Sequence, residues 1–175
     1  MSRYIVLLRG INVGGKNKLP MADLRASLTG AGFTDVETYI QSGNVALTAP
    51  SCNTDSITEL IAKDFDLTIP VVVRTQAQLQ ATIDNNPFPE VEAEPKRLLV
   101  YFCSNEVSDP TLANLDRAKY EGDRVETGPA EIYVAYREAV SASKLTNAVL
   151  DRVVGATTTA RNWKTVLKLA EMAAG

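Results

Sequence analysis

The chain has 175 residues, 45% hydrophobic and 22% charged, with a net charge of −3. That composition is globular, excludes a disordered chain, and suffices for one large domain or two small ones packed together. Histidine is absent, which excludes Ser-His and Cys-His nucleophiles, imidazole bases and histidine metal ligands, so any catalysis falls to carboxylates, Lys, Tyr, Arg, hydroxyls or backbone amides.

In chain order, Tyr4 to Arg9 reads as a buried strand ended by Gly10, followed by a Gly/Asn/Lys loop to Leu19. Pro20 suits the first turn of a helix carrying Met21, Leu24 and Leu28 and stopping near Gly30 or Gly32. Val36 to Ile40 and Val45 to Leu47 are expected as strands around a Ser42-Gly43-Asn44 hairpin. Ile57, Leu60, Ile61 and Phe65 mark a second helix capped by Asn53 or Thr54. Ile69 to Arg74 is a strand, and Thr75-Gln76-Ala77-Gln78 is a capping box opening a third helix with Leu79 and Ile83.

The segment from Asn86-Pro87-Phe88-Pro89 to Glu94-Pro95 is rigid and acidic and reads as a linker. The order then begins again. Leu98 to Cys103 is a strand, and Asp109-Pro110 caps a helix with Leu112 and Leu115. Arg124 to Thr127 and Ile132 to Tyr136 flank a Gly128-Pro129 turn. Ser141 or Ser143 caps a helix with Leu145, Val149 and Val153, Thr157 to Thr159 is a short strand, and Arg161 opens the last helix. In that helix Trp163, Val166, Leu167 and Ala170 share an apolar face, with Arg161, Lys164, Thr165 and Lys168 opposite. The fold class expected is α+β, with two tandem ferredoxin-like (β-α-β-β-α-β) halves, each with an added C-terminal helix. The expected domains are 1–86 and 97–175, joined by a linker at 87–96.

Charge is unevenly spread. Residues 1–25 have a net charge of +4, residues 141–170 again +4, and residues 26–140 a net of −10. This pattern fits a basic site on an acidic body, or simply solvated ends. The sharpest motif is Gly10-Ile11-Asn12-Val13-Gly14-Gly15-Lys16-Asn17, close to the phosphate-cradling G-x-x-x-x-G-K-[ST] loop. It departs at Asn17, where a magnesium-binding hydroxyl belongs, and Leu19-Pro20 delays the helix. A looser anion-binding loop and a plain surface loop both remain. Around the hairpin, Tyr39, Gln41, Ser42 and Asn44 are polar groups at a strand end. Turn chemistry explains Gly43 and Asn44 but not Gln41. Ser143-Lys144 reads as a nucleophile and base in principle, or as an N-cap followed by a surface lysine.

Tyr4–Asn17, Tyr39–Val45 and Arg161-Asn162-Trp163-Lys164-Thr165-Val166 together resemble the bacterial family catalogued as domain of unknown function 1697. Pro70–Thr75 and Ser143-Lys144-Leu145 also look like family segments. One departure is Ala160, where the family's pattern has Thr before Arg161; Thr159 is a substitute for it. The resemblance implies a bacterial cytoplasmic protein and supplies no substrate.

The resulting expectation is a site for an anionic, phosphate-bearing small molecule or nucleotide. Arg9, Lys16 and Arg161 supply charge, Gly14 and Gly15 close backbone approach, and Asn12, Asn17, Gln41, Ser42, Asn44 and Asn162 hydrogen bonds. Three rival classes stand beside it: RNA or single-stranded nucleic-acid binding, a phosphoryl- or acyl-transfer enzyme without histidine, and a protein-interaction module. An acidic body and 6% aromatic residues weigh against nucleic acid. No motif calls for a cofactor or metal. Cys52 and Cys103 lie in no motif, which suits a reduced cytoplasmic setting, and no apolar run approaches the roughly 20 residues of a membrane span.

Overall fold

A computed structural model describes the backbone of residues 1–175 and every side chain except those of Asp109 and Pro110. The expected cap at Asp109-Pro110 therefore lies outside the described residues. The chain divides into two compact units, 1–79 with 169–175, and 80–168.

The first unit runs β1 (Ser2–Leu8), α1 (Met21–Gly30), β2 (Thr34–Tyr39), β3 (Asn44–Ala49), α2 (Thr54–Phe65), β4 (Val71–Thr75) and the start of α3 (Gln76–Asp84). Its four strands form an antiparallel sheet in the order β2-β3-β1-β4, with Val6 opposite Val45 on one side and Val73 on the other. Val6 and Leu8 pack with Leu24 and Leu28 of α1 and Ile57 and Ile61 of α2 in an aliphatic core. Ile5, Leu7, Ala46 and Val72, on the alternate positions, are buried as well. A sheet covered on both faces explains why β1 reads as an unbroken apolar run instead of alternating. Local signals set the helix starts. Asn53 accepts from the Ser56 N–H at 2.9 Å. Thr75 and Gln78 form the reciprocal capping box, at 2.9 and 3.2 Å.

The second unit contains β5 (Leu98–Cys103), the short α4 (Asp109–Leu112), β6 (Arg124–Thr127), β7 (Glu131–Ala135), α5 (Asn147–Val154), β8 (Thr158–Asn162) and the first half of α6 (Trp163–Ala174). Its sheet order is β6-β7-β5-β8, again antiparallel. The protein is thus α+β, with two four-stranded antiparallel sheets and the element order β-α-β-β-α-β-α twice. The core differs from that of the first unit in holding tyrosines. Tyr101 and Tyr136 share a 2.5 Å hydroxyl contact, and the Tyr136 hydroxyl also lies 2.8 Å from the Leu145 carbonyl. Tyr133 donates to the Thr82 carbonyl at 2.7 Å. Burial, the largest cause, pushes all three phenols above their ordinary value of 10.0.

Within the expected linker at 87–96, Phe88 and Val91 are buried, and the Arg124 guanidinium lies 4.7 Å from the Phe88 ring centroid. Three other expectations need correction. Helix α5 begins at Asn147 with Thr146 at its N-cap, so neither Ser141 nor Ser143 caps it. Strand β8 extends to Asn162, which places Arg161 on a strand opposite Val100 and not in the last helix. The buried stripe of α6 is Trp163, Val166, Leu169, Met172 and Ala173, together with Thr165, whereas Leu167 is exposed. Trp163 as a core residue agrees with the helical spacing.

Candidate functional site

The connection from β1 to α1 is built by asparagine and glycine. Val13-Gly14-Gly15-Lys16 is a two-residue hairpin turn, closed by Lys16 N–H donating to the Val13 carbonyl at 3.1 Å. Gly14 and Gly15 have φ of +59° and +75°, the pair of positive values that a type I′ turn demands. The base of this small hairpin is tied by Asn12 N–H to the Asn17 carbonyl at 3.1 Å, and by the Asn17 amide to the Gly10 carbonyl at 2.9 Å. The loop therefore differs from a P-loop in more than Asn17. Its glycines turn a hairpin, and α1 starts only at Met21, so no helix N-terminus follows the lysine.

Asn12 is the joint of the region. With φ +55°, its amide nitrogen donates to the carbonyls of Leu19 and Gln41, each at 2.9 Å, and its amide oxygen accepts from Leu19 N–H at 2.9 Å. One side chain thus closes its own loop and clamps it to the turn between β2 and β3. That turn, residues 40–43, is packed against β1: Leu8 N–H donates to the Gly43 carbonyl at 2.8 Å. A Cβ on Gly43, where φ is +86°, would lie 2.6 Å from the Leu8 Cβ. Asn44 is fully buried and donates to the Tyr39 carbonyl and the Ser42 hydroxyl, both at 3.0 Å.

The structure thus brings Gly10, Asn12, Asn17, Gln41, Ser42 and Asn44 together in the first unit. The amides of Asn12, Asn17 and Asn44 are spent on shaping backbone. Arg9 is half-buried, with its N–H donating to the Pro70 carbonyl at 3.1 Å. Lys16, Lys18 and the Gln41 side chain are exposed. Neither lysine makes an ion pair among the described residues.

Arg161 and Asn162 belong to the second unit. Arg161 is only 9% exposed, donates to the Ala160 carbonyl at 2.8 Å, and is pulled down to about 10 by burial. Asn162 caps α6 by accepting from Thr165 N–H at 2.9 Å. Arg74 and Thr75 repeat this arrangement in the first unit: Arg74 is 8% exposed and donates to the Val73 carbonyl at 3.0 Å.

The second unit has its own cleft of about 290 Å³, lined by Tyr120, Asp123, Arg137, Ser143 and Lys144 among others. At its floor the Ser143 hydroxyl donates to Asp123 at 2.5 Å and accepts from Leu145 N–H at 3.0 Å. Ser143 is a turn residue here, and its hydroxyl is held by a carboxylate instead of by Lys144. Among the described residues no group of three or more Cys, Asp or Glu could hold a metal ion, and no helix is long and apolar enough to cross a membrane.

A family model described as protein of unknown function (DUF1697) matches residues 1–133. The match includes the Gly-Lys loop and the β2–β3 turn and ends within β7, so the Arg161–Val166 motif lies beyond it. Among solved structures the chain is similar to the conserved bacterial protein SP0830 from Streptococcus pneumoniae, with 25% identity, a TM-score of 0.69 and 98% of each chain covered. Comparison with curated proteins found no match.

Proposed function

The chain belongs to the DUF1697 family, and we propose that it binds a phosphate-bearing small molecule at the surface formed by residues 9–19 and 39–44. The observation that carries this reading is the Asn12 clamp: two side-chain hydrogen bonds to Leu19 close an exposed lysine loop, and a third, to the Gln41 carbonyl, ties it to a second turn. A loop held only to connect β1 with α1 needs no such tie to a turn 29 residues away. Pre-organisation lowers the ordering cost of binding, and it is what a small-ligand site requires. In this reading Lys16 and Lys18 contribute charge, Arg9 adds to the local positive field, Gly14 and Gly15 allow close backbone approach, and Gln41 orients the ligand. Buried Arg161 and the capping Asn162 stay outside the contact set.

We read each unit as ferredoxin-like, the chain as a duplication with halves near 1–86 and 97–175, and the protein as cytoplasmic. The repeated sheet order and the paired Arg74-Thr75 and Arg161-Asn162 strand ends support the duplication.

Differential scanning fluorimetry against nucleotides, sugar phosphates and inorganic pyrophosphate tests the binding reading. At least one is expected to raise the melting temperature of the wild type. Lys16→Ala and Lys18→Ala should each weaken binding roughly tenfold or more, as expected for a charge-assisted contact of about 1.5–3 kcal/mol. No shift with any of them, or shifts unaltered in both variants, overturns it. Steeply salt-dependent binding of single-stranded RNA with no response to small phosphates would favour the nucleic-acid class instead.

A further inference from the structure

Five non-glycine residues have positive φ: Asn12, Asn17, Asp35, Ile40 and Asp66. Four are Asn or Asp, whose short polar side chains tolerate the left-handed region. Ile40, at φ +51°, is the exception, because a β-branched side chain collides with its own backbone there. Such strain persists only where the surroundings impose it, and it is a pointer to function when packing does not explain it.

Packing does not explain Ile40, which is 52% exposed. The large hydrophobics exposed among the described residues are Met1, Val13, Ile40 and Leu167, so two of the four flank the Asn12 clamp. Val13 follows Asn12 in the chain, and Ile40 precedes Gln41, whose carbonyl the Asn12 amide holds at 2.9 Å. Gly14-Gly15 turns Val13 back towards Lys16. Two branched apolar side chains thus stand exposed on the same pair of clamped segments that carries the exposed Lys16 and Lys18.

We propose that the ligand is an amphiphilic phosphate, an organic phosphate ester whose non-phosphate end is apolar and rests on Val13 and Ile40 while Lys16 and Lys18 meet the phosphate. The inference rests on the binding site proposed above and adds the ligand's chemistry. It excludes ligands that are polar throughout, such as sugar phosphates, as the preferred class. The apolar end is either a nucleobase or an alkyl chain, and the two are separated by probe.

The test is isothermal titration of the full chain with adenosine monophosphate, octyl phosphate, ribose 5-phosphate and inorganic phosphate. At least one of the first two is expected to bind roughly tenfold tighter than ribose 5-phosphate, the gain expected from covering part of two aliphatic side chains. Ile40→Asn suits the left-handed backbone and leaves folding intact; with Val13→Ser it should cut that preference to about threefold or less. The pair should weaken the apolar esters far more than ribose 5-phosphate, whereas Lys16→Ala should weaken every phosphate alike. Equal binding of ribose 5-phosphate and the apolar esters, or a preference that survives both substitutions, overturns the inference while the phosphate site stands. Failure of all four probes to bind overturns both.

Discussion

The two units share a strand order yet treat the exit from their first strand differently. From β1 to α1 the first unit spends residues 9–20, with positive φ at Gly10, Asn12, Gly14, Gly15 and Asn17. From β5 to α4 the second unit spends residues 104–108, with no positive φ among them. The first hairpins differ in the same sense. The β2–β3 turn holds Ile40 and Gly43 at positive φ, whereas residues 128–130 between β6 and β7 hold none. A matching scaffold that manages without strain in one unit and concentrates it in the other shows that the topology does not require it. Three of the five non-glycine residues at positive φ, Asn12, Asn17 and Ile40, lie on this loop edge, where the proposed site falls.

The largest effects should come from breaking that edge. Gly43→Ala places a Cβ against Leu8 at a positive φ and should destabilise by roughly 2–3 kcal/mol in urea unfolding. Asn12→Ala removes three hydrogen bonds and should cost a similar amount, again roughly 2–3 kcal/mol. In the second unit the Tyr101–Tyr136 pair is the comparable polar joint. Tyr136→Phe removes the hydroxyl shared with Tyr101 and Leu145 and should cost roughly 1–2 kcal/mol by the same measurement.

The pH response sharpens the contrast between a tyrosine core and an aliphatic one. Tyr101, Tyr133 and Tyr136 have folded-state values raised above 10.0. An unfolded chain therefore releases protons first, and stability, fully present below pH 10, falls as pH rises beyond it. Alkaline denaturation followed by the fluorescence of Trp163, buried in the second unit, should show this loss, and Tyr133→Phe and Tyr136→Phe should each make it shallower. The smallest effect has the opposite sign. Ile40→Asn relieves the strained residue and should raise stability by about 1 kcal/mol, even as it weakens ligand discrimination.

Much of the scaffold was legible because its signals are local. Strand β5 matches its expected bounds, Asn53 caps α2, and Thr75 with Gln78 opens α3 as the capping-box pattern indicates. What escaped was set by contacts distant in sequence. Arg161 reads as a helix start because Thr-Thr-Thr-Ala-Arg has no apolar alternation, yet Thr158 is held by Asp151 and Asn147, and pairing with β5 carries the strand on to Asn162. Leu167 reads as core by spacing, but Leu169 and Thr165 take the buried positions. In the candidate site, the glycines and lysine were visible as a motif. The role of Asn12 was not, since its partner Gln41 lies 29 positions on, and no local pattern shows that Ile40 adopts a left-handed backbone.

The most direct test is an NMR titration of the isotope-labelled full chain with adenosine monophosphate and octyl phosphate, following every backbone amide. The account predicts saturable shifts concentrated in residues 9–19 and 39–44, lost in Lys16→Ala, with the cleft around Asp123 and Ser143 unmoved. Shifts centred on that cleft, or no shifts with either ligand, would contradict it.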